Sequence, residues 1–366
     1  MTGRRVLQVL GRSAGGIAAH VAQLTRSLDG GKLTVDVAGP PDLPLEMPKP
    51  VLPLVIPDGP LLGHGGAIRT LRRLVTDGSY DVVHAHGLRA GIDTALAARK
   101  TGAQTLLTVH NLVHPDIAGR AKAIVYRPAE SLAVRLNDRC FAVSAQIAQH
   151  LSGASNGTPA KVEVLHLGIG PAPEVSRSRA EVRAELGINE ETALLVTASR
   201  LAPQKALDVL LRALAMLSGD AALAVLGEGP LEYELRATAA EMGVSERVRW
   251  LGFRPDLPDY LAAADVFVLS SIWEGVPLAA QEAIQLEVPV VATDVGGMPE
   301  LIEDRVSGRL VPARDPGALA SALDETLRSH ELRARYVERA AADLERNFST
   351  ERMLDRLRIA YAGERR

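Results

Sequence analysis

Apolar residues follow two patterns along this chain of 366 residues. Short runs rich in Val, Leu and Ala are apolar at nearly every position, and the segments between them place apolar residues every three or four positions. The first pattern is typical of strands buried on both faces of a sheet, and the second of amphipathic helices. The runs predict strands at 6–10, 33–38, 81–85, 104–109, 140–143 and 162–165, and again at 193–198, 221–226, 248–251, 266–269 and 288–293.

The alternation of strands and helices predicts an α/β fold with parallel sheets covered by helices on both faces. A Gly-Pro-Ala-Pro sequence at 170–173 interrupts the series and indicates a linker. We therefore expect two Rossmann-like lobes, at 1–168 and 174–348, and a last helix at about 349–366 that packs back on the first lobe. Open α/β sheets bind ligands beyond the carboxyl ends of their strands, so two facing lobes would place a substrate cleft between them.

The composition fits a folded globular enzyme, because 47% of the residues are hydrophobic and 23% are charged. Cys140 is the single cysteine, which excludes an internal disulfide and a zinc site of thiolates from one chain. No apolar leader with a cleavage site and no run of 18 apolar residues is found. We expect a cytoplasmic protein that does not span a membrane, and the many arginines and alanines indicate a bacterial, GC-rich genome.

The net charge of −3 is unevenly distributed along the chain. Residues 1–173 hold 18 basic and 12 acidic side chains, and the remaining residues hold 23 and 32, so the two parts carry +6 and −9. A basic lobe would attract an anionic acceptor or an anionic membrane surface, but a solvated imbalance of this size is equally common. Nucleic acid is not expected as a partner, since the net charge is negative and only 3% of the residues are aromatic.

Two carboxylates, Glu274 and Glu282, follow the predicted strand 266–269, with Pro277 at a position that suits the first turn of a helix. Carboxylates accept hydrogen bonds from sugar and ribose hydroxyls, whereas solvated acidic residues at a helix start are an equally weighted alternative. The backbone N–H groups at the start of that helix would bind phosphate or sugar oxygens. The predicted donor-binding positions there are Gly275, Val276 and Leu278.

The loop that follows the predicted strand 193–198 carries two cations, Arg200 and Lys205. Arg forks onto two oxygens and Lys acts as a point charge, so the pair suits a diphosphate and would stabilise the negative charge that grows on a leaving group. For either residue taken singly, the alternative interpretation is an exposed cation on the protein surface.

The first lobe has a glycine-rich loop at 11–16 between its first strand and a helix that begins near Ile17. Glycine allows the backbone to approach a ligand closely, which makes this loop a candidate ligand-binding segment. The loop is not the Gly-x-Gly-x-x-Gly fingerprint, and Asp36 falls inside a strand pattern, so a nicotinamide cofactor is not expected.

Three histidines lie at or after strand ends of the first lobe: His84, His86 and His110. No pair of acidic residues completes a metal site with them, and Asp-x-Asp is absent from the chain, so we expect no metal. His110 follows an apolar strand and precedes Asn111, a position where a reacting group is useful. A core or capping histidine is an equally weighted interpretation.

Together these segments resemble the family 4 glycosyltransferases over nearly the entire chain. Their most specific element is the Glu-x7-Glu arrangement of Glu274 and Glu282, supported by Arg200 and Lys205 upstream. The resemblance implies the GT-B fold and a retaining, metal-independent reaction of nucleotide-diphosphate sugars, with no cofactor.

The resemblance also implies a role for each matching residue. Glu274 would hold hydroxyls of the donor sugar, Glu282 the ribose, and Arg200 with Lys205 the diphosphate. His110 looks like the histidine beside the transferred sugar. Gly15 and Gly16 match the glycine-rich loop near the distal phosphate and the acceptor, which makes Gly16 a candidate donor-binding residue. Gly227 to Pro230 match a Gly-x-Gly-Pro turn, and 248–254 match the segment that meets the base.

The sequence departs from the family at two places. Ala206 stands where the family usually has Gly after the lysine, and Leu-Gly-Ile-Gly at 167–170 replaces Asn-Gly-Val-Asp. Neither change touches a catalytic charge, but both leave loop details and the subfamily open.

We therefore expect transfer of a hexosyl group from a UDP- or GDP-sugar to an unidentified hydroxyl, on a lipid-linked, inositol-type, glycan or small-molecule acceptor. The alternatives are a sugar-nucleotide epimerase or phosphorylase of related fold, and a non-catalytic sugar-nucleotide-binding protein. Acceptor contacts are expected from 58–66 and from 68–74, which holds Arg69, Arg72 and Arg73. These arginines suggest peripheral contact with an anionic membrane, against the more common interpretation of a solvated helix face.

Overall fold

A computed structural model describes residues 3–12, 16–43, 46–59, 62–112, 120–154 and 162–363. The chain divides into two compact units. The first unit comprises Met1–Gly168 with Ser349–Arg366, and the second comprises Ile169–Phe348. Each unit holds one sheet whose strand pairs are all parallel in the part of the chain described. The predicted α/β class with two parallel sheets is therefore confirmed.

The first unit has a seven-stranded sheet in the order β3-β2-β1-β4-β5-β6-β7 within its described residues. Its strands are β1 (Arg4–Leu10), β2 (Leu33–Gly39), β3 (Val51–Pro53), β4 (Val82–His86), β5 (Gln104–Val109), β6 (Arg139–Ala142) and β7 (Val162–Val164). Its helices are α1 (Gly16–Leu28), α2 (His64–Asp77), α3 (Leu88–Ala97), α4 (Arg120–Leu136), α5 (Ala145–Ala154) and, from the end of the chain, α14 (Thr350–Ala362).

The second unit has a six-stranded sheet in the order β10-β9-β8-β11-β12-β13 within its described residues. Its strands are β8 (Ala193–Ala198), β9 (Ala221–Leu226), β10 (Val248–Gly252), β11 (Val266–Leu269), β12 (Val290–Thr293) and β13 (Arg309–Val311). Its helices are α6 (Arg179–Leu186), α7 (Leu207–Met216), α8 (Glu232–Glu241), α9 (Leu257–Ala263), α10 (Leu278–Gln285), α11 (Met298–Leu301), α12 (Pro316–Arg328) and α13 (His330–Asn347). Single 3-10 turns lie at Pro203–Lys205 and Ser245–Arg247.

The last helix, α14, packs on the sheet of the first unit although it follows the second unit in the chain. Ser349 caps its N-terminus by accepting a hydrogen bond from the Arg352 N–H. Leu357 and Tyr361 are fully buried in a cluster that includes Val6 of β1. The apolar face of α14 therefore completes the core of the first unit.

The sequence missed the two short strands β3 and β13. β3 lies at the edge of its sheet, is partly exposed and ends in Pro53, while β13 begins with an arginine, so neither has the apolar run that predicts a buried strand. β12 begins at Val290, later than predicted. Pro277 is the residue before α10 and not part of its first turn, because its ψ of 122° is extended.

Candidate functional site

The loops that follow β8 and β11 meet because these two parallel strands are neighbours in the sheet. The Ile272 N–H donates to the Gln204 carbonyl at 2.8 Å, and the Gln204 side-chain Nε2 donates to the Trp273 carbonyl at 2.7 Å. The loop with the two predicted cations is thus joined to the loop with the first predicted carboxylate. Gln204 was not singled out in the sequence, since its role depends on which strands are adjacent.

Lys205 and Glu274 form a buried ion pair at the junction of these loops. The Lys205 Nζ lies 2.5 Å from Glu274 Oε1, and the Ser271 hydroxyl donates to the same oxygen at 2.6 Å. Only 6% of the Glu274 side chain and 19% of the Lys205 side chain are exposed. Glu274 Oε2 has no hydrogen-bond donor among the described residues, so one carboxylate oxygen is available to accept from a ligand hydroxyl.

The start of α10 lies directly after this ion pair in the chain. No side chain caps the helix, and the N–H groups of Gly275, Val276 and Leu278 have no hydrogen-bond acceptor in the described part of the chain. Unpaired N–H groups at a helix start carry partial positive charge and bind anionic or polar oxygens. Val276 and Gly275 precede Pro277 and Leu278 begins the helix, so all three N–H groups lie at this end of α10 without an acceptor among the described residues, and their contact with a donor stays a prediction.

A second glycine pair, missed by the sequence analysis, holds the backbone around Glu274. Gly296 has φ +61°, and a Cβ on it would lie 1.7 Å from the Glu274 carbonyl oxygen. The Gly297 N–H donates to the Gly275 carbonyl at 2.7 Å. The Val-Gly-Gly sequence after β12 could have indicated this contact, because paired glycines after a strand mark a close backbone approach.

Gly227 positions the loop that bears Arg200. Its φ is +130°, and a Cβ would lie 2.0 Å from the Ser199 carbonyl oxygen, so only glycine fits. The Leu201 N–H donates to the Glu228 carbonyl at 2.9 Å and fixes the turn against this loop. The structure therefore gives Gly227 a part in placing the cation, and a direct contact of Gly227 with the donor stays a prediction.

Arg200 and Glu282 are not joined to the ion pair. Arg200 is exposed, and Glu282 is half-buried on α10; neither side chain has a hydrogen-bond or ion-pair partner among the described residues. Burial raises the pKa of Glu282 above its ordinary value. Arg200 thus adds a positive charge that no carboxylate of the described residues neutralises, and within the same residues both carboxylate oxygens of Glu282 are free for hydroxyl donors.

Ala206 adopts the left-handed conformation, with φ 44° and ψ 46°, between the 3-10 turn and α7. The family usually has Gly at this position, and Gly is the residue that takes this conformation without steric cost. Ala206 therefore adopts a backbone conformation that glycine takes more readily and that costs a residue with a Cβ roughly 1–2 kcal/mol.

The first unit contains a chain of buried polar side chains that leads to His110. Gln8 on β1 donates from Nε2 to the Tyr361 hydroxyl at 2.8 Å, and its Oε1 accepts from His86 Nε2 at 2.9 Å. His86 Nδ1 lies 3.1 Å from His110 Nε2. His84 contacts the same Tyr361 hydroxyl through Nδ1 at 2.7 Å.

These contacts set the tautomers of both histidines. Burial lowers the pKa of His86 and of His110 well below the usual range, and neighbouring histidines lower both further, so both rings are neutral. Because Gln8 Oε1 can only accept, His86 is protonated at Nε2 and its Nδ1 accepts from His110 Nε2–H. His110 is left with an unprotonated Nδ1, which has no hydrogen-bond donor among the described residues.

His20 on α1 packs edge-on against His86 and His110, with ring centroids 5.8 Å and 5.5 Å away. Both of its nitrogens are buried without a hydrogen-bond partner in the described chain, and burial lowers its pKa to about 4. His20 has no signal in the sequence that separates it from a core residue, because it stands inside an amphipathic helix pattern.

The glycine-rich loop of the first unit is only partly described. Gly16 is exposed at the first position of α1, whereas Gly15 lies outside the described residues. Among the residues that the structure describes, no group of three or more His, Cys, Asp or Glu side chains is arranged to hold a metal ion. None of the described helices combines the length and apolar character needed to cross a bilayer.

Two family models match this chain. The model described as "Glycosyl transferases group 1" matches residues 178–343, and the one described as "Glycosyl transferase 4-like domain" matches residues 15–168. These ranges correspond closely to the two units of the fold.

Curated relatives are about one third identical to the chain over the aligned residues. A D-inositol 3-phosphate glycosyltransferase of Mycolicibacterium vanbaalenii is 33% identical over 304 residues, which are 78% of this chain and 67% of that protein. The protein with the same name from Streptomyces scabiei is 34% identical over 295 residues, or 73% of this chain and 65% of that protein. The chain thus spans about two thirds of the length of these relatives.

Solved structures share the fold at lower identity. HepE from Anabaena, crystallised with UDP and glucose, has a TM-score of 0.82 at 20% identity and covers 99% of this chain and all of its own. A sucrose-phosphate synthase from Thermosynechococcus elongatus has a TM-score of 0.82 at 21% identity, with 98% of each chain covered.

Proposed function

We propose that this chain, which belongs to the family 4 glycosyltransferases and has their GT-B fold, moves a hexosyl group from a UDP- or GDP-sugar to an acceptor hydroxyl with retention of configuration. The family predicted from the sequence is confirmed. The individual roles of the site residues, the donor and the acceptor are parts of the proposal.

The observation that carries the proposal is the arrangement around Lys205 and Glu274. A buried carboxylate keeps one oxygen free for hydroxyl groups, beside a lysine whose ammonium has three N–H donors and uses one of them on that carboxylate. Arg200 and the N–H groups at the start of α10 add positive charge without a carboxylate partner. Such a site suits a ligand that is a diphosphate at one end and a polyol at the other.

The proposed reaction breaks the bond between the anomeric carbon and the diphosphate oxygen and forms one to the acceptor oxygen on the same face of the sugar. The acceptor proton passes to an oxygen of the leaving diphosphate. Arg200, Lys205 and the α10 N–H groups would stabilise the charge that develops on that diphosphate. No covalent enzyme intermediate and no metal or cofactor is part of the proposal.

Glu282 would bind the ribose, for which its two carboxylate oxygens, unpaired among the described residues, are suited, and ribose hydroxyls would offset the burial that raises its pKa. A half-buried carboxylate without a cation gains more from hydroxyl donors than a solvated one does. His110 would stand beside the transferred sugar, where its unprotonated Nδ1 can accept a hydrogen bond from a sugar hydroxyl.

The donor and acceptor proposals draw support from different relatives. HepE has been crystallised with UDP-glucose, which supports a nucleotide-sugar donor here. The curated relatives are named for D-inositol 3-phosphate, so a hydroxyl acceptor with a phosphate is one candidate at this identity. A cytoplasmic location with peripheral contact to an anionic membrane through the first unit also stays a proposal.

The test is a calorimetric titration of UDP-sugars and GDP-sugars, without added metal, into the wild type and Glu282→Ala. We expect one nucleotide class to bind, and the substitution to weaken it by about 10- to 100-fold, because hydrogen bonds to a charged group are lost. Glu241→Ala, an exposed glutamate of α8, is the matched control and should bind like the wild type. If the folded wild type binds neither class, or Glu282→Ala binds unchanged, the proposed donor site is wrong.

A further inference from the structure

A pocket of about 530 Å³ lies within the first unit, next to the carboxyl ends of β1 and β4. This volume is in the range of small-molecule sites. Gly11 and Gly87, which follow these two strands, line it together with His86. The pocket therefore adjoins the histidine that accepts a hydrogen bond from His110.

Most of the pocket wall is aliphatic. The branched aliphatic side chains of the wall come from α1, α2, α3 and the segments after β3 and β5, and all are half-buried except that of Ile56, which is buried. These residues are Ile17, Ile56, Ile68, Leu88, Ile92, Leu96 and Leu112. An apolar ligand that covers half-exposed aliphatic surface in a concave site gains binding free energy, because that surface is removed from water.

The charged groups on the pocket wall are already paired with each other. His64 Nδ1 lies 2.8 Å from Asp93 Oδ2, and its Nε2 lies 2.7 Å from the Gly59 carbonyl oxygen. Arg89 forms an ion pair with Asp58 at 3.3 Å and also donates to the carbonyl of that residue. These contacts leave little positive charge for an incoming anion.

Arg12 is the remaining cation on the described pocket wall, and it is largely exposed. Its nearest carboxylate is that of Asp42 at 4.0 Å, with both side chains more than half exposed. A single solvated arginine contributes little to the binding of a phosphate compared with a fork of buried cations. The wall is therefore better suited to hydrocarbon than to a phosphate group.

From this wall we propose that the pocket binds the acceptor, and that the acceptor is an alcohol carried on an apolar body, alkyl or aryl, and not a phosphorylated polyol. The inference rests on the proposed function, since it assigns the substrate class of the same reaction. The hydroxyl would lie toward His86 and His110, and the apolar body would cover the aliphatic side chains of α2 and α3.

The experiment measures binding of acceptor probes to the full chain saturated with UDP, after UDP binding has been measured in the same sample. The probes are n-octyl β-glucoside, phenyl β-glucoside, methyl β-glucoside and D-inositol 3-phosphate. We expect the octyl or the phenyl glucoside to bind at least ~10-fold more tightly than the methyl glucoside, because each buried methylene adds to affinity. The tighter of the two tells whether a chain or a ring fits.

Variants of the pocket wall complete the test. Ile92→Ser on α3 and Ile68→Ser on α2 should each weaken the apolar probe several-fold, whereas Leu132→Ser, which removes an exposed leucine of the same unit, should not. Arg12→Ala should leave the apolar probe unaffected. If the protein binds UDP but prefers D-inositol 3-phosphate, and Arg12→Ala abolishes that binding, the inference is overturned while the proposed function stands. If the protein does not bind UDP, the proposed function itself is contradicted.

Discussion

The sequence predicts Lys205 and Arg200 as a pair of cations, but the structure places them in different environments. Lys205 is bound to a buried carboxylate, and Arg200 is exposed without a partner among the described residues. Removing one member of a buried ion pair leaves the other desolvated and uncompensated, whereas removing an exposed cation does not. The two residues should therefore differ in their effect on folding, although both serve the donor diphosphate in the proposed reaction.

We predict that Lys205→Met lowers the free energy of unfolding by about 1–3 kcal/mol, because Glu274 loses its cation and keeps only the hydrogen bond from Ser271. Arg200→Met should change it by less than about 0.5 kcal/mol. Both variants should reduce nucleotide-sugar affinity and turnover. Denaturant unfolding followed by donor titration measures the two effects.

The double variant Lys205→Met with Glu274→Gln is the control for this prediction. It removes the buried charge as well as its partner, so most of the lost stability should return while activity stays low. Equal unfolding free energies for Lys205→Met and Arg200→Met would show that the ion pair contributes nothing to folding.

At the scale of elements, α14 supplies the residue that closes the polar network of the first unit. Tyr361 is fully buried, and its hydroxyl contacts Gln8 and His84. Because the Gln8 amide is oriented by that hydroxyl, the helix at the end of the chain fixes which nitrogen of His86 and of His110 carries the proton. The last helix thus acts on the site through hydrogen bonds as well as through packing.

We predict that Tyr361→Phe costs about 1–3 kcal/mol of stability, since it leaves the Gln8 amide nitrogen and one His84 nitrogen unpaired in a buried place. The Gln8 amide is then free to turn, and His110 should become a mixture of tautomers. The ¹⁵N chemical shifts of the His110 ring report this change directly. Turnover should fall more than donor binding does, because the residues proposed to hold the diphosphate and the ribose, Arg200, Lys205 and Glu282, are unchanged.

Tyr80→Phe is the matched control, since it removes a hydroxyl that bonds to Asp36 at 2.9 Å in the same unit and away from the histidines. It should cost some stability and leave the His110 shifts as in the wild type. Unchanged His110 shifts in Tyr361→Phe would mean that the tautomer is fixed by something other than this network.

The elements themselves were largely predictable because their apolar runs are local. The predicted strands 104–109, 193–198, 221–226 and 266–269 match the structure at both ends. The short edge strands were missed for lack of an apolar run. The network around Gln8 could not be found, because it depends on strand order in the sheet and on a helix more than 300 positions later in the chain.

In the candidate site too, residues marked by their neighbours in the sequence could be predicted, and residues that depend on contacts between distant segments could not. Glu274, Arg200 and Lys205 were selected from loops that follow apolar strands, and strand adjacency then brings Glu274 and Lys205 together. Ser271 carries no chemical signature in the sequence, and the glycine pair at 296–297 indicates a close backbone approach without naming its partner. The contacts of Ser271 and Gly296 with Glu274 appear only once the loops are folded.

At the scale of the whole molecule, the uneven charge locates the proposed membrane contact on the first unit, and the structure narrows it to one face of α2. Arg69 and Arg73 lie one turn apart on α2, are exposed, and have no carboxylate partner among the described residues. Arg72 is used differently, because it donates to the carbonyls of Leu96 and Ala97 at the end of α3. A test that removes Arg72 would therefore disturb the fold of the first unit along with its charge.

We predict that the protein binds vesicles containing phosphatidylglycerol and that Arg69→Ala with Arg73→Ala weakens this binding by about 30-fold, since each basic residue near an anionic surface is worth about 1 kcal/mol. Vesicle sedimentation at low and high salt measures it, and high salt should abolish binding. Arg212→Ala with Arg339→Ala, two exposed arginines of the second unit, should bind like the wild type if the contact belongs to α2. Equal losses of vesicle binding in both double variants would mean that net charge, and not this helix face, governs the attraction. If the wild type does not bind vesicles, these arginines belong to an ordinary solvated helix face.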